Sequence, residues 1–254
     1  ITKTLEDQQH ISKTMEHQVQ TALKGLKMPG MAACWQSMEE THQSDKLSLR
    51  DGLQILIQAE KDNRENNRIA KLIKDANFRI PALIEELEID ETRGVPADTV
   101  LQLSSGEYIK SGSTVIICGA TGTGKSYLAC ALGNKACRQG YRVAYYTMQK
   151  LMDTIRIARL EGKDQKFFDK LNRLDVLIID DFGMKPIEGQ QQNDIEQILD
   201  DRYRRKSLII SSQLPVSDWH GLFKNELIAD ACLDRMVHKP IRFQLQGDSL
   251  RKKY

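Results

Sequence analysis

The sequence predicts an α/β fold in which a parallel five-stranded sheet with helices on both faces follows a small all-helical region. Three observations support this fold. Short β-branched runs alternate with helical segments after residue 112, one run leads into a glycine-rich loop, and the preceding part has helical periodicity. The chain has 254 residues, of which 40% are hydrophobic and 28% charged. This composition excludes a disordered, collagen-like or disulfide-scaffold chain.

The helical region is predicted from its caps and its apolar spacing. Ser48 and Asp51 have the spacing of a helix cap, and apolar residues recur from Leu53 onward at helical intervals. This helix should end before Pro81, because the proline ring disfavours helix in the residue ahead of it. The predicted organisation is therefore a helical domain over residues 1–80, a linker over 81–112 and an α/β domain over 113–254.

The strands of the α/β domain are predicted from five β-branched runs with helical segments between them. Strands that alternate with helical crossovers indicate a parallel sheet. The predicted strands are Thr114–Cys118, Arg142–Thr147, Asp175–Ile179, Ser207–Ser211 and Ile241–Leu245.

A glycine-rich loop lies between the first strand and the helix that follows it. It has the pattern G-x-x-x-x-G-K-[ST], whose backbone amides can surround phosphate groups at a helix N-terminus. Lys125 should reach the β- and γ-phosphates, and the Ser126 hydroxyl should help to hold Mg²⁺. The predicted nucleotide-binding residues are Gly119, Ala120, Thr121, Gly122, Thr123, Gly124, Lys125, Ser126 and Tyr127.

Two carboxylates, Asp180 and Asp181, follow the apolar run Val176–Ile179. At the carboxyl edge of a parallel sheet, Asp180 would bind Mg²⁺ in its outer shell and Asp181 would polarise the attacking water. An apolar run followed by two aspartates is also typical of a strand end and a turn. The distance in sequence from Lys125, with one strand between, favours the metal and water roles.

Further polar groups are candidates with open alternatives. The fourth strand ends in the polar residues Ser211, Ser212 and Gln213, which could orient the water or could simply end the strand. Arg235 and Arg251 could stabilise charge on a transferring phosphoryl group, although Arg235 could equally be a surface residue paired with Asp234.

Cysteine spacing and hydropathy restrict location. The 5 cysteines form no C-x-x-C pair, which predicts reduced thiols in the core of a cytoplasmic protein. The longest apolar runs are far shorter than the roughly 20 residues that a membrane span needs. The N-terminus also lacks a signal-peptide pattern. No membrane partner is expected.

The motifs together resemble the AAA+ ATPases of the IstB/DnaC family, and within it IstB, the helper ATPase of insertion-sequence transposases. The resemblance extends over nearly the whole chain from about Thr21. Besides the loop, it rests on Leu26–Met31, Ala59–Glu60, Arg64–Asn66, Asn77–Ala82, Ile179–Gly183, Ser207–Pro215, Trp219, Asp230–Arg235 and Gly247–Arg251.

The resemblance implies roles for the candidate residues, with ATP and Mg²⁺ as cofactors. Lys125 and Ser126 resemble the Walker A pair, and Asp180 and Asp181 resemble Walker B. Ser212, with Gln213, is similar to sensor 1. Arg235 resembles the arginine finger that reaches a neighbouring subunit's ATP, and Arg251 resembles sensor 2. An ATP-dependent homo-oligomer follows from these roles.

The sequence departs from the family pattern in three places. The second Walker B acid is Asp181, where AAA+ proteins often have glutamate, so water activation is expected to be slow. Sensor 1 offers serine and glutamine in place of asparagine. The sequence ends at Tyr254, and the helical lid is therefore expected to be largely absent, which puts the placement of Arg251 in doubt.

Basic residues at helical spacing are the candidates for DNA contact, with a solvated helix face as the alternative. They are Arg64, Arg68, Lys71 and Lys74 in the helical domain. The resemblance implies a second set between the second and third strands, namely Lys150, Arg156 and Arg159. The resemblance implies a helical domain for DNA binding and oligomerisation, and an ATPase that assembles on duplex DNA and assists a transposase. DNA and oligomerisation should stimulate its hydrolysis of ATP. The alternatives are a replicative helicase loader of the DnaC type and a nucleotide-gated DNA scaffold with negligible hydrolysis.

Overall fold

A computed structural model describes residues 18–43 and 46–250 of the chain. The chain divides into two units, of which the first ends at Ala70 and the second begins at Lys71. The division lies inside one long helix, whereas the sequence predicted a domain boundary at residue 80. The reason is that the last turns of this helix pack against the core of the second unit through Leu72, Ile73 and Ala76.

The first unit is helical throughout its regular structure. Residues 18–25 are helical, helix α1 is Pro29–Glu40, and helix α2 is Leu49–Ala76. Pro29 begins α1, where its missing N–H costs nothing because first-turn amides have no intrahelical acceptor. At the start of α2 the Asp51 amide donates to Ser48 Oγ at 3.2 Å, and Ser48 Oγ donates to Asp51 Oδ2 at 2.6 Å. The predicted cap and the predicted end before Pro81 are both confirmed.

Glu60 of α2 connects this helix to α1. Its Oε2 accepts from the amides of Gly30 at 2.7 Å and Met31 at 3.2 Å, at the start of α1. Gly30 allows the close approach, since a Cβ there would lie 2.6 Å from the Ala59 carbonyl oxygen. A carboxylate at a helix N-terminus satisfies unpaired amides and complements the helix dipole. The Ala59–Glu60 and Met28–Gly30 segments are therefore parts of one structural contact.

The second unit contains one five-stranded parallel sheet, which confirms the predicted α/β fold. The strands are β1 Thr114–Gly119, β2 Val143–Thr147, β3 Val176–Phe182, β4 Ser207–Ser212 and β5 Ile241–Leu245. Their order is β2-β3-β4-β1-β5, and every neighbouring pair is parallel. This order brings the carboxyl ends of β1, β3 and β4 to the same edge, where ligands bind in open α/β sheets.

Helices cover both faces of the sheet. They are α3 Ala97–Ser104, α4 Glu107–Lys110, α5 Lys125–Arg138, α6 Met148–Leu160, α7 Asp164–Asn172, α8 Gln190–Arg202 and α9 Glu226–Val237. Alternate residues of each strand belong to different cores: Ile117 and Ile178 pack with α5, whereas Ile116 and Leu177 pack with α6 and α8. Within residues 18–43 and 46–250, no helix combines the length and apolarity needed to cross a membrane.

The segment 81–112, predicted as a linker, is part of the packed second unit. It contains the 3₁₀ turns Ile84–Glu86 and Glu91–Arg93 besides α3 and α4. Its buried core residues are Ala82, Ile84, Val95, Val100, Leu103, Tyr108 and Ile109. The sequence prediction emphasised its acidic and glycine-proline residues, whereas these scattered apolar positions determine its packing.

Four cysteines are buried as free thiols, in agreement with the prediction of core thiols. They are Cys118, Cys130, Cys137 and Cys232, and Cys34 is partly exposed. Burial raises the pKa of Cys130 to about 11 and those of Cys137 and Cys232 to about 12. These thiols therefore stay protonated and unreactive at neutral pH.

Arg202, at the end of α8, is a buried structural cation. It is 2% exposed, and its guanidinium donates to the carbonyl oxygens of Leu171 at 3.0 Å and Ser207 at 2.6 Å. Weaker donations reach Leu174 and Asp175. Burial lowers the pKa of Arg202 to about 10, which still leaves it charged at pH 7. The residue links the end of α7 to the starts of β3 and β4.

We expect Arg202→Met to lower the free energy of unfolding by about 3 kcal/mol, because buried carbonyl acceptors lose their donor. Urea unfolding followed by circular dichroism measures this loss. Arg205→Met is the matched control, since Arg205 is exposed on the following turn. Equal unfolding midpoints for the two variants would contradict the structural role of Arg202.

Candidate nucleotide-binding site

The glycine-rich loop connects β1 to α5 at the carboxyl edge of the sheet. Gly122 and Gly124 have φ values of +87° and +101°, a left-handed region that side chains with a Cβ rarely adopt. Inside the loop, Thr123 Oγ1 and Lys125 Nζ each donate to the Ala120 carbonyl oxygen at 2.8 Å. The first-turn amides of α5 lack intrahelical acceptors, and this gives the loop a site for anions.

The segment after β5 lies over the loop. The Leu250 amide donates to the Gly122 carbonyl oxygen at 2.9 Å, and a Cβ on Gly122 would overlap with the Ser249 side chain. Arg93 stabilises this segment, because its Nη2 donates to the Asp248 carbonyl oxygen at 3.2 Å. The absence of a side chain at Gly122 therefore permits both the loop conformation and the covering segment.

Asp180 is completely buried at the carboxyl end of β3. Its Oδ1 accepts from the Asp181 amide at 3.0 Å and from the Ser211 hydroxyl, and its Oδ2 accepts from the Tyr145 hydroxyl. Burial, and then the neighbouring Asp180 carboxylate, raise the pKa of Tyr145 above its ordinary value, so Tyr145 remains a donor. Side chains of β2 and β4 thus fix the orientation of the Asp180 carboxylate.

Asp181 points into the open part of the site. The register between β3 and β4 shifts between Ile179 and Phe182, and Asp181 has a left-handed φ of +56°. This bulge turns the Asp181 side chain away from the sheet. Its Oδ2 lies 3.3 Å from Nη1 of Arg79, a residue of the segment that follows α2.

A cavity of about 870 Å³ contains the loop and the end of β3. Thr121, Lys125, Ser126 and Asp181 line one part, and apolar side chains line another part beside the loop. These apolar and aromatic residues are Leu87, Val95, Tyr127, Leu245 and Leu250. The Tyr127 hydroxyl donates to Glu86 Oε2 at 3.3 Å. A volume of several hundred Å³ with apolar walls and a few polar groups is typical of small-molecule sites.

The donor set at the loop fits a nucleoside triphosphate with Mg²⁺. Loop amides and Lys125 suit phosphate oxygens, and the apolar walls suit a base. Ser126 and Asp180 offer oxygen atoms, which Mg²⁺ prefers, and this ion is usually held by one or two such groups together with phosphates and water. Because both Asp180 oxygens already accept hydrogen bonds, a water between Asp180 and the ion fits best. The ion would neutralise charge on the phosphates.

The three polar residues predicted at the end of β4 have different surroundings in the structure. Ser212 is buried, and its hydroxyl donates to the Phe182 carbonyl oxygen at 2.7 Å, so it does not line the cavity. Gln213 does line it, and its Oε1 accepts from the Thr121 hydroxyl at 2.7 Å. Ser211, one residue earlier, contacts Asp180 instead. Of the three residues, Gln213 is the one beside the loop.

Of the two predicted arginines, the structure describes Arg235 but not Arg251. Arg235 lies on α9, outside the lining of the cavity, and pairs with Asp200 of α8 at 2.7 Å. This pairing replaces the predicted alternative of a pair with Asp234. Hydrogen bonding to Asp200 raises the pKa of Arg235 above its ordinary value. Arg251 lies outside the described residues, directly after Leu250.

The predicted DNA-contact residues have mixed surroundings. In the first unit Arg64 is 2.7 Å from Glu60, and Arg68 is 3.5 Å from Glu65. In the second unit the side chains of Lys71, Lys74, Lys150 and Arg156 are exposed. Arg159 instead forms a two-point contact with the buried Asp194, at 2.6 and 3.2 Å. Because the Asp194 carboxylate pairs with its guanidinium, Arg159 is a structural residue that links α6 to α8.

Sequence reasoning missed two residues of the site, Arg79 and Tyr145, and it did not connect Ser211 to Asp180. Arg79 belongs to the segment Asn77–Ala82 that supported the resemblance, but nothing in the sequence connects it to Asp181, 102 positions away. Tyr145 and Ser211 lie on the strands that flank β3. Only the strand order identifies those neighbours, and strand order has no local sequence signal.

The sheet order, the loop and the acidic end of β3 define a P-loop protein with the AAA+ fold. Solved structures share this fold at low sequence identity. The DnaC helicase loader has a TM-score of 0.54 at 20% identity, and the match covers 65% of this chain and 97% of that chain. DnaI has a TM-score of 0.57 at 12% identity, covering 70% of this chain and 94% of that one.

The chain belongs to the family of IstB-like ATP binding proteins, whose model matches residues 21–254. A relative from Sinorhizobium fredii, named an insertion sequence ATP-binding protein (y4pL), is 36% identical, and the match covers 94% of this chain and 97% of the relative. An insertion sequence IS21 ATP-binding protein of Pseudomonas aeruginosa is 27% identical, with 93% and 89% covered. The predicted family is confirmed.

Proposed function

We propose that this protein binds ATP with Mg²⁺, assembles as a homo-oligomer on duplex DNA, hydrolyses the ATP, and assists a transposase in DNA transposition. The observation that supports it most directly is that the glycine-rich loop and Asp181 line one cavity, with the buried Asp180 directly before Asp181 on β3. Relatives named insertion sequence ATP-binding proteins support the genetic context, because they match this chain over almost its whole length.

In the proposed reaction, each group of the site has a separate task. The loop amides and Lys125 bind the phosphates, and Lys125 leaves the Ala120 carbonyl oxygen to do so. Asp180, held by Tyr145 and Ser211, orients the water shell of the ion. Asp181 polarises the attacking water, and Gln213 is placed to hold that water beside the loop.

Oligomerisation is proposed from the location of Arg235. An arginine that stabilises phosphoryl charge must reach the phosphate, and Arg235 does not line the cavity of its own chain. It lies on a helix, its side chain is one-quarter exposed, and its guanidinium pairs with Asp200. This arrangement supports a role at a neighbouring subunit's site, so hydrolysis would require two subunits.

Duplex DNA is proposed as the assembly platform. Exposed basic side chains on α2 and α6 suit phosphate contacts, which position a protein on DNA without reading its sequence. These residues are Arg64 and Arg68 in the first unit, and Lys71, Lys74, Lys150 and Arg156 in the second unit. Such contacts predict binding that weakens steeply as the salt concentration rises.

Light scattering of the purified protein with duplex DNA tests the proposal. The protein is measured with no nucleotide, with ADP, and with a non-hydrolysable ATP analogue, each with and without DNA. We expect large particles only with DNA and the ATP analogue together. A monomer or dimer under every condition would contradict assembly on DNA and the role of Arg235.

A nucleotide-gated DNA scaffold with negligible hydrolysis is a second candidate. It is favoured by the ion pair that Arg79 forms with Asp181, since a paired carboxylate polarises water poorly. Measuring phosphate release in the presence of DNA distinguishes this scaffold from an active ATPase. A pull-down with the assembled protein distinguishes a transposition role, in which a transposase is captured, from helicase loading, in which a helicase is captured.

A further inference from the structure

We propose that Arg79 binds the terminal phosphate of the nucleotide, and that its guanidinium exchanges between this phosphate and the Asp181 carboxylate. The inference deepens the proposed function and rests on the proposed ATP site. It assigns a γ-phosphate contact to the segment between α2 and the sheet, which otherwise serves as packing.

The location of Arg79 is the first reason. Its Nη1 lies 3.3 Å from Asp181 Oδ2, and both residues line the cavity that also contains Lys125 and Ser126. In the proposed reaction, the water beside Asp181 attacks the terminal phosphate. A guanidinium in contact with Asp181 therefore lies at the terminal-phosphate end of the cavity.

The backbone of this segment packs into the core, whereas the Arg79 side chain extends to Asp181 and to Tyr145, whose hydrogen bond raises the pKa of Arg79. Phe78 packs so closely on α5 that a Cβ on Gly133 would lie 2.6 Å from the Phe78 ring. Three residues after Arg79, Ala82 is completely buried. The Arg79 side chain itself is 50% exposed. The segment thus anchors Arg79 at the site and leaves its long side chain able to change partner.

The Arg79–Asp181 pair is suited to exchange. It has one contact at 3.3 Å between partly exposed groups, and such pairs are weak because water screens them. A phosphate carries more charge and accepts two parallel hydrogen bonds from a guanidinium, which makes it the stronger partner. Asp180 does not compete with Asp181 for the Arg79 guanidinium, since Tyr145, Ser211 and the Asp181 amide already donate to the Asp180 oxygens.

Two other candidates for the terminal phosphate are engaged elsewhere in the described part of the chain, whereas Lys185 also lines the cavity without a described contact to Asp181. The Ser212 hydroxyl donates to the Phe182 carbonyl oxygen, and Arg235 pairs with Asp200. Arg93 also lines the cavity, but its guanidinium contacts the Asp248 carbonyl oxygen near the segment after β5. Arg79 is the cation that contacts Asp181.

The exchange has a consequence for water activation. When Arg79 contacts Asp181, it neutralises the carboxylate that should polarise the water. When Arg79 contacts the terminal phosphate, Asp181 becomes available as a hydrogen-bond acceptor for that water. Binding of a triphosphate would therefore activate Asp181, whereas binding of a diphosphate would not.

The test compares a non-hydrolysable ATP analogue with ADP by isothermal titration calorimetry on the full chain. The proteins are wild type, Arg79→Ala, Arg79→Lys and the control Arg138→Ala. Arg138 lies on α5 and forms an exposed ion pair with Glu85. We expect Arg79→Ala to weaken binding of the ATP analogue about tenfold and binding of ADP less than about twofold. Arg79→Lys should fall between, because lysine keeps the charge but not the two-point contact.

Equal losses for the two nucleotides, or no loss for either, would overturn the role of Arg79. A merely structural role would weaken ADP and the ATP analogue together, and it would also lower the thermal midpoint, which is measured on the same samples. If Arg79→Ala does not fold, the ratio of the two affinities in Arg79→Lys decides. Failure of wild type to bind either nucleotide would overturn the proposed function as well, so the two failures are distinguishable.

Discussion

Replacing Lys125 by alanine is expected to weaken ATP binding by about 100-fold, because a charge-assisted contact to phosphate contributes about 1.5–3 kcal/mol. Nucleotide-dependent assembly on DNA should disappear with it, since assembly is proposed to require the bound triphosphate. Calorimetry with a non-hydrolysable ATP analogue measures the first effect, and light scattering with duplex DNA measures the second.

Lys135→Ala is the matched control for this prediction. Lys135 is on the same helix, and its ammonium lies 3.4 Å from Glu85, outside the cavity. The control should bind nucleotide and assemble like wild type. If wild type and Lys125→Ala assembled to the same extent, both with and without ATP, the proposed nucleotide gate would be wrong.

Asp181→Asn is expected to slow ATP hydrolysis by about 100-fold or more while ATP binding persists, because the amide cannot polarise water as the carboxylate does. Asparagine is preferable to alanine here. It keeps the shape of the side chain and tolerates the left-handed φ of +56°, whereas alanine would add backbone strain. The assembled state on DNA should consequently persist after ATP is added.

Phosphate release and light scattering over the same time course measure this trapped state. Asp169→Asn is the control, since Asp169 is an exposed residue of α7 whose side chain contacts only Gln165 among the hydrogen bonds described. Hydrolysis by Asp181→Asn at the wild-type rate would show that another group activates the water. Negligible hydrolysis by wild type itself would favour the scaffold.

The two expected effects separate binding from chemistry within one cavity. In the proposed function, Lys125 would bind the nucleotide before any reaction, whereas Asp181 would polarise the water that attacks. The Arg79 contact connects them, because a terminal phosphate held through Lys125 can draw Arg79 away from Asp181. Nucleotide discrimination and water activation are therefore expected to change together when Arg79 is replaced.

Much of the fold was predictable because its signals are local. The five β-branched runs, the loop between Gly119 and Ser126 and the cap at Ser48 each depend on a few consecutive residues. The predicted strand bounds differ from the observed ones by three residues at most, and the largest difference is at β3. There the strand continues to Phe182, because Asp180 still pairs with Thr147 of β2 and Phe182 pairs with Ser212 of β4 beyond the bulge.

The predictions that depended on partners in space were less complete. Arg159 was a candidate for DNA contact, yet it pairs with Asp194 of α8. The segment 81–112 has the composition of a linker, yet its few apolar residues lie in the core. In each case residues distant in sequence determine the outcome, and periodicity within one segment contains no information about them.

The sequence by itself determined the nucleotide loop, the acidic strand end and the alternation of strands and helices, because each is encoded in contiguous residues. Only the tertiary structure decided which side chains meet there: Tyr145 and Ser211 on Asp180, Arg79 on Asp181, and Gln213 in place of Ser212 beside the loop. The physical reason is the strand order, which brings the ends of β1, β3 and β4 together. Side chains far apart in sequence share hydrogen bonds only after the sheet has formed.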